Sequence, residues 1–266
     1  MSNSTGKSIM SARDHANELF QEGARVKMVL HRRILILLLM LAVFLSVYCY
    51  AAAGFTITID PGHSSAHQGT ISCSGTGESE YNQVLSRRIT GELRRAGIKA
   101  MITTTGLDAS LAQRAAMARG SDLLLSVHHD SVQPQFIKVK SDRNGKHYCS
   151  TKAQGFSIFV SRRNKQFDSS LRLAIRLGEA LVKRGLKPSL HHAEKIPGEN
   201  RELLDSRLGI YRYDELGVLK AADSPAILLE AAVIVHPDDE KRAQSTEYQR
   251  AIAESVREMA AHLSDH

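Results

Sequence analysis

Four stretches of the sequence place histidine or carboxylate side chains where a β-rich run ends or a helical pattern begins. The candidate residues are His63, Glu78, the pair His128 and His129, and Glu230. Two imidazoles and one carboxylate form the ligand set of a catalytic zinc site, in which a fourth position stays open for water. A further carboxylate beside such a site can act as a general base. The four stretches together predict a hydrolytic metal centre with Glu230 as its base.

Each candidate also has a plainer interpretation. His63 follows Pro-Gly, where histidines are commonly surface residues, and Glu78 in a first helical turn can serve the helix dipole. Because neighbouring side chains of a strand point to opposite faces, at most one of His128 and His129 is expected to be a ligand. Glu230 is harder to explain away, since it lies within the apolar stretch "PAILLEAAVIV", where an unpaired carboxylate is costly to bury.

Short β-rich runs alternate with helical patterns from Phe55 onward. This alternation is typical of an α/β domain with a mostly parallel, twisted β-sheet that helices cover on both faces. The predicted strands are Phe55–Ile59, Ile98–Thr103, Leu123–Val127, Gly155–Val160 and Ala226–Leu229. Functional groups of such sheets collect beyond the carboxyl ends of the strands. Three of the four candidate stretches follow a predicted strand.

Apolar residues at helical spacing predict the helices that connect these strands. They lie around Val84–Ala96 and at Leu111–Arg119, Asp168–Arg184 and Thr246–Leu263. Two polar stretches remain: Val132–Gln154, in which Asn144-Gly145 is a hairpin turn signal, and His191–Ser206, which has no clear period. About 210 residues are enough for one hydrophobic core, so residues 54–266 are predicted to form a single catalytic domain.

Residues 1–53 are predicted to be an N-terminal extension with a signal peptide. The apolar run Ile34–Tyr50 follows Arg32 and Arg33, and small residues precede Gly54 at the positions that a signal peptidase requires. The alternative is an uncleaved anchor, because 17 residues reach the lower limit for spanning a bilayer. Either way, we expect an exported protein of the periplasm or cell envelope, which touches the membrane only through this segment.

Cysteine usage and charge add two expectations. In an oxidising compartment Cys73 and Cys149 could form a disulfide, and the absence of a CxxC pair argues against a cysteine zinc site. The formal net charge is +7, but six basic and three acidic residues precede Gly54 and leave about +4 for the rest. Without a basic helix or interleaved aromatic residues, nucleic acid is not an expected partner.

Four motifs, in order and at consistent spacing, resemble the zinc-dependent N-acetylmuramoyl-L-alanine amidases of the Amidase_3 type. They are "IDPGHSS" (Ile59–Ser65), "GESEYN" (Gly77–Asn82), "LAQRAAMARGSDLLLSVHHDS" (Leu111–Ser131) and "SPAILLEAAVIVHPDDE" (Ser224–Glu240). The resemblance covers residues 55–262. It implies a peptidoglycan hydrolase that uses zinc-activated water to cut the amide between N-acetylmuramic acid and L-alanine of the stem peptide.

The resemblance also implies a role for each site residue. Zn²⁺ would be held by His63, Glu78 and His128, with Glu230 as the catalytic glutamate. The glutamate of the family lies four positions before an asparagine, which selects Glu78 over Glu80. Its histidine directly follows an aliphatic residue, which selects His128 over His129. From the residues themselves, Asp60 is expected to accept a hydrogen bond from a ligand histidine or the turn backbone, or to form an Asx turn.

The sequence departs from the family pattern at two places. Ser64 stands where glycine is common, and His236 replaces an asparagine after the catalytic glutamate. Neither change removes a ligand or the base.

Some members of the family carry a helix that plugs the zinc site until an activator protein displaces it. The polar stretch Val132–Gln154 is poor in apolar residues for such a helix, and His191–Ser206 offers Glu194, Glu199 and Glu202 as groups that could reach a metal. An activator protein is therefore a partner to consider beside the peptidoglycan substrate, and a monomer is expected. The alternatives to the amidase are a zinc peptidase acting within the stem peptide and a non-catalytic peptidoglycan-binding module.

Overall fold

The computed structural model describes residues 31–34, 36, 40, 54–103, 109–142 and 145–263. The chain divides into two units, Met1–Ala53 and Gly54–His266. The described residues of the first unit are helical. Across the described ranges, no helix combines the length and the apolar character that a membrane crossing requires. The predicted signal segment and its cleavage point lie almost entirely outside these ranges.

The second unit is built on a seven-stranded sheet and a separate two-stranded hairpin. The strands are β1 (Thr56–Pro61), β2 (Lys99–Ile102), β3 (Leu123–Asp130), β4 (Lys138–Asp142), β5 (Gly145–Cys149), β6 (Ser157–Val160), β7 (Glu202–Asp205), β8 (Ile210–Arg212) and β9 (Ala226–Val233). The order in the sheet is β2-β1-β3-β9-β6-β8-β7. Strands β2, β1, β3 and β9 are parallel, β6 runs antiparallel to β9, β8 is parallel to β6, and β7 is antiparallel to β8. The prediction of a mostly parallel sheet is confirmed.

Helices cover both faces of this sheet, as predicted. They are α1 (Glu78–Arg95), α2 (Leu111–Met117), α3 (Phe167–Lys183), α4 (Gly217–Ala221), α5 (Pro237–Gln244) and α6 (Thr246–Ala260). On one face, residues of α1, α3 and α6 form a core with alternate residues of the central strands, among them Ile59, Leu125 and Leu229. On the other face, α2 and α4 pack against Leu124 and Leu228. Burial on both faces explains why the central strands read as nearly continuous apolar runs.

The observed elements differ from the predicted ones mainly where the chain is polar or the element is short. Strand β3 runs on through His128 to Asp130, and β9 continues to Val233, so that Glu230 lies inside a strand and not behind it. The elements β7, β8, α4 and α5 were not predicted. They contain three to eight residues each, too few for hydrophobic periodicity to stand out.

The polar stretch that was predicted to contain a hairpin does so, with β4 antiparallel to β5. A disulfide joins Cys149, the last residue of β5, to Cys73 in the loop before α1. The backbone N–H of Cys73 also donates to the carbonyl of Ile234 at 3.0 Å. The loop that leads into α1 is therefore held between the hairpin and the end of β9.

Removing this disulfide is expected to destabilise the domain. The cross-link joins residues 76 positions apart and restricts the unfolded chain. A disulfide typically raises the free energy of unfolding by about 2–4 kcal/mol in this way. The variant Cys73→Ser/Cys149→Ser should show a correspondingly lower free energy of unfolding in urea, followed by circular dichroism. Wild-type protein in a reducing agent should unfold like the variant, while the variant should not respond to the reductant. Superimposable curves for all samples would contradict the cross-link.

Candidate metal centre and active site

Three of the four predicted site residues meet at the carboxyl end of the parallel strands. His63 comes from the turn after β1, Glu78 opens α1, and His128 lies in β3. Nε2 of His63 lies 3.1 Å from Oε2 of Glu78, and Nδ1 of His128 lies 2.9 Å from Oε1 of the same carboxylate. The three side chains offer one ligand atom each within 4.8 Å of one another. This arrangement has the donors of a site for a divalent cation.

The turn after β1 has the conformation that brings His63 to the carboxylate. His63 has a φ of +63°, a left-handed conformation that is uncommon for a residue with a side chain and often marks a functional site. Two glycines make the close approach of the histidines possible. A Cβ on Gly62 would overlap the ring of His128, and one on Gly69, at φ +72°, would overlap both His63 and Glu78. The site therefore needs glycine at both positions.

Glu78 is buried, with 4% of its surface exposed, yet it is ionised. Burial alone would raise the pKa of its carboxyl group, but the hydrogen bonds and charges of His128 and His63 hold that pKa well below its usual value. The backbone N–H of Thr70 donates to Oε2 at 3.1 Å. Such a carboxylate suits a cation at the same point. Glu80, the other carboxylate considered for this position, is exposed.

Asn82 and His129 support the cluster of His63, Glu78 and His128. Nδ2 of Asn82 donates to Oε1 of Glu78 at 3.1 Å and to the carbonyl of Gly62 at 3.0 Å. Its Oδ1 lies 2.8 Å from Nδ1 of His129, which points away from His128 as strand alternation requires. Burial lowers the pKa of His129 to about 4, so this histidine is neutral. Asn82 thus links the turn, the helix and β3.

Asp60 supports the site through a partner that was not predicted. The expectation that it accepts from a ligand histidine or from the turn backbone was wrong. Its carboxylate accepts from Nε of Arg114 at 2.8 Å, from Oγ1 of Thr103 at 2.7 Å and from Oγ of Ser126 at 2.9 Å. Arg114 also donates to the carbonyl of Pro61. The buried pair of Asp60 and Arg114 fixes the end of β1, where the turn to His63 begins.

Glu230 lies beside His128 on the neighbouring strand β9, in register with it. Its Oε2 is buried and hydrogen-bonds to no other described residue. Burial raises the pKa of Glu230 well above its usual value, and the negative charges of Asp130 and Glu78 add to the effect. The side chain lines a cavity of about 190 Å³. A carboxyl group at a cavity wall can exchange a proton with a molecule inside the cavity.

A second polar cluster, which sequence reasoning missed, adjoins the same cavity, and two of its three residues, Asp130 and His192, line it. Asp130 follows His128 by two residues on β3, and His191 and His192 lie in the short 3₁₀ turn His191–Ala193. The only signals in the sequence were the His-His pair and the spacing from His128 to Asp130. The pair lies in a polar segment without periodicity, so nothing local predicted its contact with β3.

Within the described residues, the two polar stretches do not place a plugging helix at the ligands. The first forms the turn Pro134–Phe136 and the hairpin of β4 and β5. In the second, Glu194 pairs with Lys152 at 2.9 Å, Glu199 with His192 at 2.8 Å, and Glu202 with Arg212. None of these three contacts is to His63, Glu78 or His128.

A larger cavity of about 440 Å³ lies elsewhere, between the end of α3 and helices α5 and α6. Its buried carboxylate, Asp239, accepts from the backbone N–H groups of Gly155 at 2.6 Å and Val233 at 2.9 Å and pairs with Arg242. Because this carboxylate is fully used by the fold, the larger cavity offers no comparable chemistry.

Comparisons with known proteins identify relatives of this chain. Curated relatives include the N-acetylmuramoyl-L-alanine amidase AmiA of Salmonella typhimurium, 24% identical over 230 residues that cover 75% of this chain and 73% of the relative. The amidase AmiC of Neisseria meningitidis is 26% identical over 213 residues, and the match covers 75% of this chain but only 50% of that relative. This chain thus spans about half the length of the meningococcal protein.

Solved structures share the fold. The N-acetylmuramyl-L-alanine amidase Ami1 of Mycobacterium smegmatis superposes with a TM-score of 0.61 at 20% identity, covering 81% of this chain and 99% of that one. The amidase of Clostridium difficile 630 gives a TM-score of 0.60 at 23% identity, covering 80% and 97%. The family model described as N-acetylmuramoyl-L-alanine amidase matches residues 57–262. With nearly all of its second unit matched, the chain belongs to the N-acetylmuramoyl-L-alanine amidase family Amidase_3.

Proposed function

We propose that the chain hydrolyses the amide bond between N-acetylmuramic acid and the L-alanine of the peptidoglycan stem peptide. In this proposal His63, Glu78 and His128 hold Zn²⁺, and Glu230 is the general base. The observation that carries it is the convergence of two imidazoles on one ionised carboxylate in a member of this family, next to Glu230, whose buried Oε2 has no hydrogen bond among the described residues.

The three donors fit zinc better than the hard cations. Two imidazole nitrogens and one carboxylate are typical zinc ligands, whereas Mg²⁺ and Ca²⁺ prefer oxygen atoms throughout. The carboxylate of Glu78 is already oriented by Asn82 and by the backbone of Thr70, which is the kind of support that metal ligands usually have. When bound there, zinc would make a water molecule more acidic and polarise the scissile carbonyl. The His63 side chain is 34% exposed, so the site is open to a polymeric substrate.

Glu230 is suited to move the proton of the reaction. As a carboxylate it accepts a proton from the attacking water, and its raised pKa means that it binds this proton firmly. It can then pass the proton to the nitrogen of the departing L-alanine, which would otherwise leave as an unstable anion. Glu230 is in register with His128 on the adjacent strand, so a carbonyl group bound near His128 would lie next to Glu230.

The proposal has a direct test on purified peptidoglycan. We expect two products, to be identified by mass spectrometry. One is the intact stem peptide with a free L-alanine amine, and the other is glycan that retains the lactyl group. A chelator should stop the reaction, and added Zn²⁺ should restore it. A zinc peptidase would release shortened stem peptides instead, and a binding module would sediment with peptidoglycan and release nothing. Either of these results, or full activity in the chelator, would overturn the proposal.

We also propose that the protein acts outside the cytoplasmic membrane, in the periplasm or cell envelope, where peptidoglycan is found. The basic pair and apolar run within residues 1–53 support export. One structural neighbour, the CwlD amidase of Clostridioides difficile, was solved in complex with the GerS lipoprotein. For this chain an activator is not part of the proposal, because the described residues place no helix over the ligands.

Replacing the proposed base should separate metal binding from turnover. Glu230→Gln keeps the shape of the side chain but cannot accept a proton, so we expect a rate lower by about 10²- to 10⁴-fold with zinc content unchanged. The exposed Glu80→Gln is the matched control and should keep both rate and metal. Near-normal turnover of Glu230→Gln would show that another group is the base.

The glycine of the turn gives a prediction about metal affinity. A methyl group in Gly62→Ala would push His128 away from Glu78, so the enzyme should lose activity at chelator concentrations at least about 10-fold lower than wild type. Gly91→Ala is the control, because a Cβ at this position of α1 meets nothing within 4 Å and alanine favours a helix. Equal chelator sensitivity of both variants would mean that the turn does not set the position of His128.

A further inference from the structure

Asp130, His191 and His192 bring two imidazole nitrogens to one carboxylate oxygen. Nε2 of His192 lies 2.8 Å from Oδ2 of Asp130, and Nε2 of His191 lies 3.5 Å from the same oxygen. One ligand atom from each residue lies within 4.8 Å of the others. We propose that these three residues form a second site for a divalent transition-metal ion, at the wall of the cavity that contains Glu230. The proposal does not depend on the proposed function of the first cluster.

In each of these three side chains, the polar atom that faces away from the cluster makes a hydrogen bond to another residue. Nδ1 of His192 lies 2.8 Å from Oε2 of Glu199, and Nδ1 of His191 lies 2.9 Å from Oγ of Ser189. Oδ1 of Asp130 accepts from the backbone N–H of Ser131 at 2.7 Å. Metal-binding histidines almost always have such a partner on the nitrogen that does not bind the metal. The three remaining atoms are thereby directed at one point.

His191 provides an observation that an ion pair alone does not explain. Its side chain is 5% exposed, and its Nε2 has no hydrogen bond of good geometry: Oδ2 of Asp130 lies 3.5 Å away, and the backbone of Ser131 is the other polar neighbour. Burial lowers the pKa of His191, although Asp130, Glu199 and the backbone of Ser131 act in the opposite direction. A buried ring nitrogen without a hydrogen bond is costly, and a metal ion between it and Asp130 would give it a partner.

The second cluster has the same pattern as the first. In the first, the two histidines stand 3.1 and 2.9 Å from the oxygens of Glu78, and in the second the distances to Asp130 are 3.5 and 2.8 Å. Donors around a tetrahedral zinc ion with bonds of about 2.0–2.1 Å stand roughly 3.3 Å apart. Both clusters come close to this separation, so an ion could enter either with small shifts of the side chains.

Without a metal, the cluster would be held by protonated His192. Burial lowers the pKa of this histidine, but the carboxylates of Asp130 and Glu199 raise it to about 9. That ion pair accounts for His192, whereas Nε2 of His191 keeps only the longer 3.5 Å contact to Asp130 among the described side chains. The cavity also contains three carboxyl groups, Asp130, Glu199 and Glu230. Arg201 does not neutralise them, because its guanidinium stacks on Tyr213 and donates to the backbone carbonyls of residues 198 and 199.

Imidazole and carboxylate ligands suit zinc and its first-row neighbours. An ion held by three protein ligands at a cavity wall keeps positions open towards the cavity. It could there accept a carbonyl or carboxylate oxygen of a molecule that lies next to Glu230. The ion would thus add a binding point for substrate beside the proposed base.

The test counts zinc ions on the purified full chain. The protein is first stripped of metal with a chelator and then dialysed against buffered Zn²⁺. Its bound zinc is measured by inductively coupled plasma mass spectrometry. We expect two equivalents in wild type, one in His191→Ala/His192→Gln, one in His63→Ala, and none in the combined variant. His236→Asn changes a buried histidine that caps α5 and should keep two equivalents. Unfolding curves check that each variant is folded.

One equivalent in wild type that His63→Ala abolishes would overturn the second site. One equivalent that survives in His63→Ala and disappears in the double variant would support the second site and would instead contradict the first. A measurement that needs no variant is anomalous scattering from zinc-soaked crystals, in which we expect a peak between Asp130 and the two histidines. A peak at Glu78 alone would again count against the proposal.

Discussion

The burial of one ionised carboxylate, Glu78, sets the conditions for the rest of the site. A charge in the protein interior is tolerated only with hydrogen bonds and opposite or polar partners around it. Glu78 receives these from Asn82 in its own helix, from the loop backbone at Thr70, and from His63 and His128. These partners come from four segments of the chain, so the turn, the loop, α1 and β3 must all be in place before the charge is satisfied.

The pairing of β3 with β9 positions Glu230 relative to His128 and Asp130. His128 is in register with Glu230, but Asp130 is in register with Val233, so β9 contains one residue more than β3 over this interval. Such a bulge bends one strand and changes the direction of its side chains, and bulges are frequent next to active sites. On β3 the regular alternation is kept, so His128 and Asp130 point to the same face. One strand thus serves both polar clusters.

Much of this could be predicted from the sequence, because the relevant signals are local. The apolar runs of β1, β3 and β9 and the helical spacing of α1, α3 and α6 are strong patterns. The four motifs marked His63, Glu78, His128 and Glu230, and the structure brings the first three together. What could not be predicted depends on contacts between distant segments. Asp60 meets Arg114, and Asp130 meets His192, across 54 and 62 residues without any pattern in the sequence that announces them.

The position of Glu230 inside β9 has a consequence for how the site works. It has neighbours in register on both sides, His128 on β3 and Ser157 on β6, in the middle of the sheet. A residue on a flexible loop can move to meet its substrate, but the backbone of a central strand cannot move without breaking the ladders on either side. The backbone that carries this carboxyl group therefore stays in place when a molecule binds. Any adjustment during binding must be made by the substrate itself or by the segment of His192 and Glu199, which also lines the cavity.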